Sequence, residues 1–380
     1  MTTSLNFPPE LQDLVIDHMH GQKRTLGTCG LVNKSCLLSS RHHLFGSVTV
    51  RIHNWKDFVQ LLESPLATFA QSVNAVTISL VEDMGFFNEL VSLLRGLPAL
   101  GCLRLEYGYW PADTIMPILP GLLELDLHKV LFDSPLHMAA LFSHFPRLQK
   151  ASLCPIFRER SAVPISHFPE APRTLECLRL HLSDSPPPFD QVALWLCAQE
   201  TPPSIRVLEL GFLDARSLPS VGNLLRALGP DLNDLDLRLM YHVNFDDIKA
   251  HIDLSRNTNL RNLTIHLSLR RFQRPSSFHA PWALLGLPHS PISTLTLVLS
   301  IETLDLIDNL DWAFLNTALG YPHFDALGRL CFIVHCFSSV IDTNMMEEAI
   351  RARVQTHVGI VEVSLVHTSR VFTHGTWQAS

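Results

Sequence analysis

Apolar residues recur along this chain in the order L-x-x-L-x-L, and the match repeats eleven times. The first positions are Val73, Leu100, Leu122, Leu148, Leu175, Ile205, Leu232, Leu260, Ile292, Leu327 and Val358. Their spacings are 27, 22, 26, 27, 30, 27, 28, 32, 35 and 31 residues. The register is chosen on apolar anchors, so the anchors themselves carry little information. The residue between the second and third anchors is unconstrained by that choice. It reads Thr77, Arg104, Asp126, Ser152, Arg179, Glu209, Asp236, Thr264, Thr296, Cys331 and Glu362, so ten of eleven are polar in a chain that is 47% apolar. Such alternation predicts short strands with one buried and one exposed face. Helical stretches lie between them: GFFNELVSLLRGL, PLHMAALFSHF, DQVALWLCAQE, LPSVGNLLRALG, FDDIKAHI and NMMEEAIRARV. Asn244 and Thr343 are placed to cap the last two.

Strand, turn and helix at a period of about 28 residues resemble a leucine-rich-repeat solenoid over residues 65–370. The resemblance implies one curved parallel sheet lining a concave face, with helices outside. The family's usual asparagine, three residues after the third anchor, is missing from the first ten units. That position holds Gly108, Val130 and Leu213 among others, so the turns must be satisfied in another way. Repeat length drifts upward toward the C-terminus, which bears on how uniform the curvature is. A generic α/β protein with a parallel sheet and irregular crossovers is the competing arrangement. Ser183–Phe189 and Arg270–Pro281 read as protruding insertions between repeats.

The first forty-odd residues follow a different pattern. Pro8 and Pro9 suit the first turn of a helix, and Glu10 suits its positive end. Leu11, Leu14, Val15, His18 and Met19 then form an i, i+3, i+4 stripe. Thr25 is placed to cap a second helix over Leu26–Gly30, and a third is expected from about Asn33 to His42. SVTVRI then reads as a strand, and Asn54 as the cap of a helix WKDFVQLLES joining this bundle to the repeats. A bundle this short buries too little to be strongly stable alone.

The same segment resembles an F-box of the kind common among fungal proteins. The resemblance rests on Phe7, Pro8, Pro9, Glu10 and Leu11, then Val15 and Ile16, then Thr25 and Leu26. It continues through Leu31, Val32, Lys34, Ser35, Ser40, Arg41, Leu44 and Phe45. Three positions depart from the family pattern: Phe7 for Leu, Met19 for Leu, and Cys36 for the usual Trp. The last removes a large ring and bears on adaptor affinity. The resemblance implies docking onto a Skp-type adaptor and through it a cullin–RING ubiquitin ligase, with the rest of the chain holding a protein substrate. Pro8, Leu14, Ile16, Leu31 and Val32 are the candidate adaptor-binding residues; the alternative is that some of them pack inward on the first repeat. The implied layout is an F-box at 5–46, a connector at 47–64, repeats at 65–370 and a tail at 371–380. A leucine-rich scaffold whose F-box recruits no ligase is the second reading.

Composition narrows the classes further. Net charge is −7 with 17% charged residues and no Lys/Arg-rich run, which argues against nucleic acid as a ligand. The start MTTSLNFPPEL lacks a secretory pattern, and no apolar run reaches the ~20 residues of a membrane span. The expectation is a cytoplasmic or nuclear protein with eight reduced cysteines.

Dinucleotide, P-loop, zincin and nucleophile-elbow motifs are all missing, so no catalytic residue, cofactor or metal is expected. Cys331, His335 and Cys336 lack a fourth ligand at suitable spacing and read as ordinary side chains. Polar groups beside the second and third anchors should face away from the core. They are Arg104, Glu106, Glu124, Asp126, His128, Arg179, His181, Glu209, Asp234, Asp236, Arg238 and His266. They read either as a mixed-charge substrate surface or as a solvated sheet face.

Overall fold

The computed structural model describes residues 8–32, 34–64, 68–79, 93–111, 116–158, 168–181, 188–240, 243–269, 284–286, 290–301, 303–336, 343–354, 360–367, 372–373 and 376–377. Twelve strands hydrogen-bond in chain order as one sheet, whose described ladders are parallel. The chain is an α/β protein: N-terminal helices followed by a leucine-rich-repeat-like solenoid. It forms two compact units, residues 1–151 with 155–159, and residues 152–154 with 160–380.

The first unit opens with three helices: α1 (Pro9–His18), α2 (Lys23–Val32) and α3 (Lys34–Phe45). Pro9 occupies the first turn of α1, where its missing N–H costs nothing. Thr25 sits inside α2 rather than ahead of it, because that helix begins at Lys23. β1 (Ser47–Val50), α4 (Trp55–Glu63), β2 (Ala75–Ser79), β3 (Cys102–Trp110), β4 (Glu124–Phe132), α5 (Pro135–Phe142) and β5 (Lys150–Phe157) follow. Asn54 precedes α4 without capping it. Its Oδ1 accepts from the Arg51 N–H at 2.7 Å and its Nδ2 donates to the Thr49 carbonyl at 3.1 Å, which closes the turn out of β1. Ser134 caps α5, accepting from the His137 N–H at 3.4 Å.

The second unit runs through β6 (Cys177–His181), α6 (Pro188–Cys197), β7 (Val207–Leu213), α7 (Leu218–Leu228), β8 (Asp234–Leu239), α8 (Phe245–His251), β9 (Asn262–Leu269) and β10 (Thr294–Ile301). It closes with α9 (Trp312–Leu319), β11 (Arg329–Cys336), α10 (Thr343–Arg351), β12 (Ile360–His367) and a two-stranded ladder of β13 (Phe372–Thr373) and β14 (Thr376–Trp377). Asn244 caps α8, its Oδ1 accepting from the Asp247 N–H at 2.7 Å. Thr343 is the first residue of α10. The expected helix near residue 85 and most of both expected insertions lie outside the described residues.

Every one of the eleven repeat strands begins two residues after its first anchor. All three anchors of the first ten repeats are buried, so one face of each ladder closes on the core. A backbone device recurs at the strand starts: one carbonyl accepts two consecutive N–H groups from the next repeat. Gly101 O takes Leu123 and Glu124, Arg206 O takes Asn233 and Asp234, and Ser293 O takes Gly328 and Arg329, all within 2.8–3.2 Å. Both carbonyl lone pairs are thereby satisfied. One repeat has a side-chain staple as well. Buried Asn257 donates to the Leu225 carbonyl at 3.0 Å and the Gly229 carbonyl at 2.8 Å, both at the C-terminal end of α7, where Leu225 also accepts from the Gly229 N–H.

The missing asparagine has an explanation in three repeats. Tyr107, Lys129 and Phe212, each two residues after the third anchor, take φ of 47°, 53° and 58°. A left-handed residue inserted there is a β-bulge, and it shifts the alternation by one. Leu127 is buried, and the next buried positions are Val130 and Phe132; past Leu210 the next buried side chain is that of Leu213. The position that carries asparagine in the family thus points into the core at Val130 and Leu213, where an apolar side chain is the stable choice.

Candidate functional site

Two surfaces stand out, and each is described within its own unit. The first is on α1–α3. Helices α1 and α3 meet through polar side chains: Ser35 Oγ donates to Gln12 Oε1 at 2.7 Å, Ser39 Oγ donates to Asp13, and His43 Nε2 lies 2.6 Å from Asp17 Oδ1. Cys36 Sγ lies 3.7 Å from Gln12 Oε1. Polar contacts at every turn of this seam send the leucines elsewhere. Ile16 and Leu26 form the small apolar centre, while Leu11, Leu14, Val15, Leu31 and Leu38 face outward. Leu14 is 61% and Leu31 89% exposed.

The candidate adaptor residues therefore separate. Pro8, Leu14 and Leu31 are exposed. Ile16 is buried, so it holds the bundle together and offers no outer surface, a correction to the sequence-based expectation. At 2% exposure only an apolar side chain is compatible with its desolvation. Val32 closes α2, and its side chain lies outside the described residues. Phe45 at the end of α3 stacks on Phe69, with ring centroids 4.7 Å apart, which fixes this end of the bundle to the turn before β2.

The second kind of surface is the polar side of the strands, and all twelve candidate residues lie on it. In the first unit Arg104 Nε contacts Glu106 at 2.8 Å and Asp126 at 3.3 Å, and Lys150 Nζ contacts Glu124 at 2.5 Å. His128 meets Tyr107 edge-on, with 3.2 Å between Nε2 and the phenol oxygen. Burial holds the His128 imidazole below its ordinary value. The same burial, with Glu124 and Asp126 beside it, pushes the Cys102 thiol up.

In the second unit Arg179 Nε lies 2.9 Å from Glu209, and exposed His181 lies over Gly211. Asp234 accepts from Asn262 Nδ2 at 2.5 Å. His266 is held at both nitrogens, with Nε2 2.9 Å from Asp236 and Nδ1 3.0 Å from Arg238 Nη2. Since a guanidinium only donates, Nδ1 is the acceptor and Nε2–H the donor to the carboxylate. Arg238 also covers the Phe212 ring at 5.1 Å, and burial lowers its guanidinium against the pull of Asp236.

These rows bring opposite charges to cross-strand neighbours, as register requires: Arg104 pairs with Asp126 and Arg179 with Glu209. Sequence reasoning missed the bulge residues Tyr107, Lys129 and Phe212, and the Tyr109–Asp133–Arg158 cluster. There the phenol donates to Asp133 at 2.7 Å and the guanidinium lies 4.0 Å over the Tyr109 ring. The usable signal was an apolar residue three places after the third anchor instead of two. Among the described residues no group of three or more His, Cys, Asp or Glu side chains is placed to hold a metal. No described helix is long and apolar enough to cross a membrane.

No protein-family model matches the chain, and no curated protein matches it in sequence. Among solved structures it is similar to the leucine-rich repeat-containing protein LegL7 from Legionella pneumophila. That likeness has 13% identity and a TM-score of 0.43, and it covers 82% of this chain and 99% of the other. The architecture stands on the strand order and anchor burial given above.

Proposed function

We propose that this protein is a non-catalytic substrate receptor of a Skp–cullin–F-box type E3 ubiquitin ligase. The helices α1–α3 dock the Skp-type adaptor, and the polar strand faces hold a target protein. The observation that carries the reading is the outward turn of Leu11, Leu14, Val15, Leu31 and Leu38 on a bundle whose α1–α3 seam is polar. Five large apolar side chains exposed on helices this short are what an interface of buried anchors requires. The strand faces add charged groups already oriented by cross-strand partners, which favour specificity over raw affinity.

Cys36 favours a second reading, a leucine-rich interaction scaffold that recruits no ligase. It is half-buried at the polar seam beside Gln12, where the F-box pattern has Trp. Leu14→Glu and Leu31→Glu in the full chain test the first reading. With purified Skp-type adaptor each should weaken binding roughly 30-fold, the worth of one ~2 kcal/mol anchor, while the melting curve stays unchanged. Adaptor binding that survives both substitutions together rejects it. No adaptor binding by the natural chain, with binding gained in Cys36→Trp, selects the scaffold.

A further inference from the structure

We propose that β12 is a pairing edge for a second copy of this chain, joined antiparallel about a two-fold axis through Val363. β12 is the last strand of the sheet order and pairs with β11 alone among the described residues. In the first ten repeats every anchor is buried, but here the anchors Val361 and Val363, and Leu365 beyond them, are only half-covered. On the opposite face Ile360 is 55% and Val366 38% exposed. Edge strands are usually blunted by proline, lysine or a bulge. IVEVSLVH has no proline and no lysine, and its eight residues pair with β11 without a break. Its single carboxylate, Glu362, is already held by Arg329 at 2.7 and 2.9 Å.

What commits the edge to a second copy is that its polarity pattern reads the same in both directions. Opposed residues of an antiparallel pair share a face. With the axis at Val363, Ile360 faces Val366 of the second copy, Val361 faces Leu365, Glu362 faces Ser364, and Val363 faces itself. Apolar meets apolar on both faces, and the carboxylate meets a hydroxyl. A one-residue slip would turn the apolar row to the wrong face. Moving the axis one residue toward the N-terminus sets Glu362 against Glu362. Arg351 Nη2 donates to the Val361 carbonyl at 2.9 Å, which leaves that oxygen its second lone pair. A self-complementary patch of this kind closes as an isologous dimer.

Sedimentation of the full chain over a concentration series tests this. The natural chain should show a monomer–dimer equilibrium. Ile360→Lys with Val366→Lys places like charges opposite each other twice and should weaken the dimer roughly tenfold or more. Ile360→Lys with Val366→Glu faces each lysine with a carboxylate and should restore it. Both positions are exposed, and superimposable melting curves confirm that each variant is folded. A natural chain that is monomeric throughout overturns the proposal, as does a double-lysine variant that dimerises normally or a Lys/Glu variant no better than the double lysine. A monomer whose β12 amides resist hydrogen exchange would assign the edge to residues 368–380 instead, and also overturns it.

Discussion

The thirty anchors of the first ten repeats are all buried, whereas Leu14 and Leu31 of the helical bundle are 61% and 89% exposed. Both regions are leucine-rich, and the difference lies in what the intervening polar residues do. In the repeats they alternate with the anchors, so each strand presents one apolar face there and neighbouring strands close it. In the bundle Gln12, Asp13 and Asp17 turn toward Ser35, Ser39 and His43, and the polar seam displaces the leucines outward. The repeats complete their own core, whereas the bundle leaves its leucines in water, and the proposed docking role rests on that difference.

The contrast predicts a hierarchy of effects. Leu237→Ala, at a buried anchor, should cost about 2–5 kcal/mol by chemical denaturation. Leu31→Ala should stay within about 0.5 kcal/mol, so similar losses at both sites would erase the distinction. Asn257→Ala should rank next, at about 2 kcal/mol, because it removes two buried hydrogen bonds, to the Leu225 and Gly229 carbonyls. Gly222→Ala should cost about 1–3 kcal/mol, since its Cβ would fall 1.9 Å from the His251 carbonyl oxygen. A tolerated alanine there would mean that α7 and α8 separate easily.

The smallest effect is a pH dependence in the first unit. Burial holds His128 and His144 below the ordinary imidazole value. The unfolded chain therefore takes up protons first as pH falls. The unit is at full stability above about 6.5 and loses it progressively until the folded imidazoles also protonate. Thermal melts between neutral and mildly acidic pH should show the decline, and His128→Asn should flatten it. A flat profile in the natural chain would contradict the burial of these rings.

The repeats were largely legible in the sequence because strand alternation writes burial directly into residue type: every strand starts where its anchors place it. The bulges were not. Left-handed backbone is usually marked by glycine or asparagine, and Tyr107, Lys129 and Phe212 carry no such mark. Only the phase slip from Leu127 to Val130 shows it. In the bundle the i, i+3, i+4 stripe was visible, but periodicity does not say which face turns inward. Ile16 therefore reads as a surface anchor in the sequence, although its side chain is buried. Asn54 looked like a helix cap because its residue type suits two local hydrogen-bonding patterns equally.

The most direct test of the proposed docking is adaptor capture by the full chain against its Leu14→Glu, Leu31→Glu double variant. A purified Skp-type adaptor should bind the natural chain and be lost from the variant, with both melting at the same temperature. Equal binding by the two chains would contradict it.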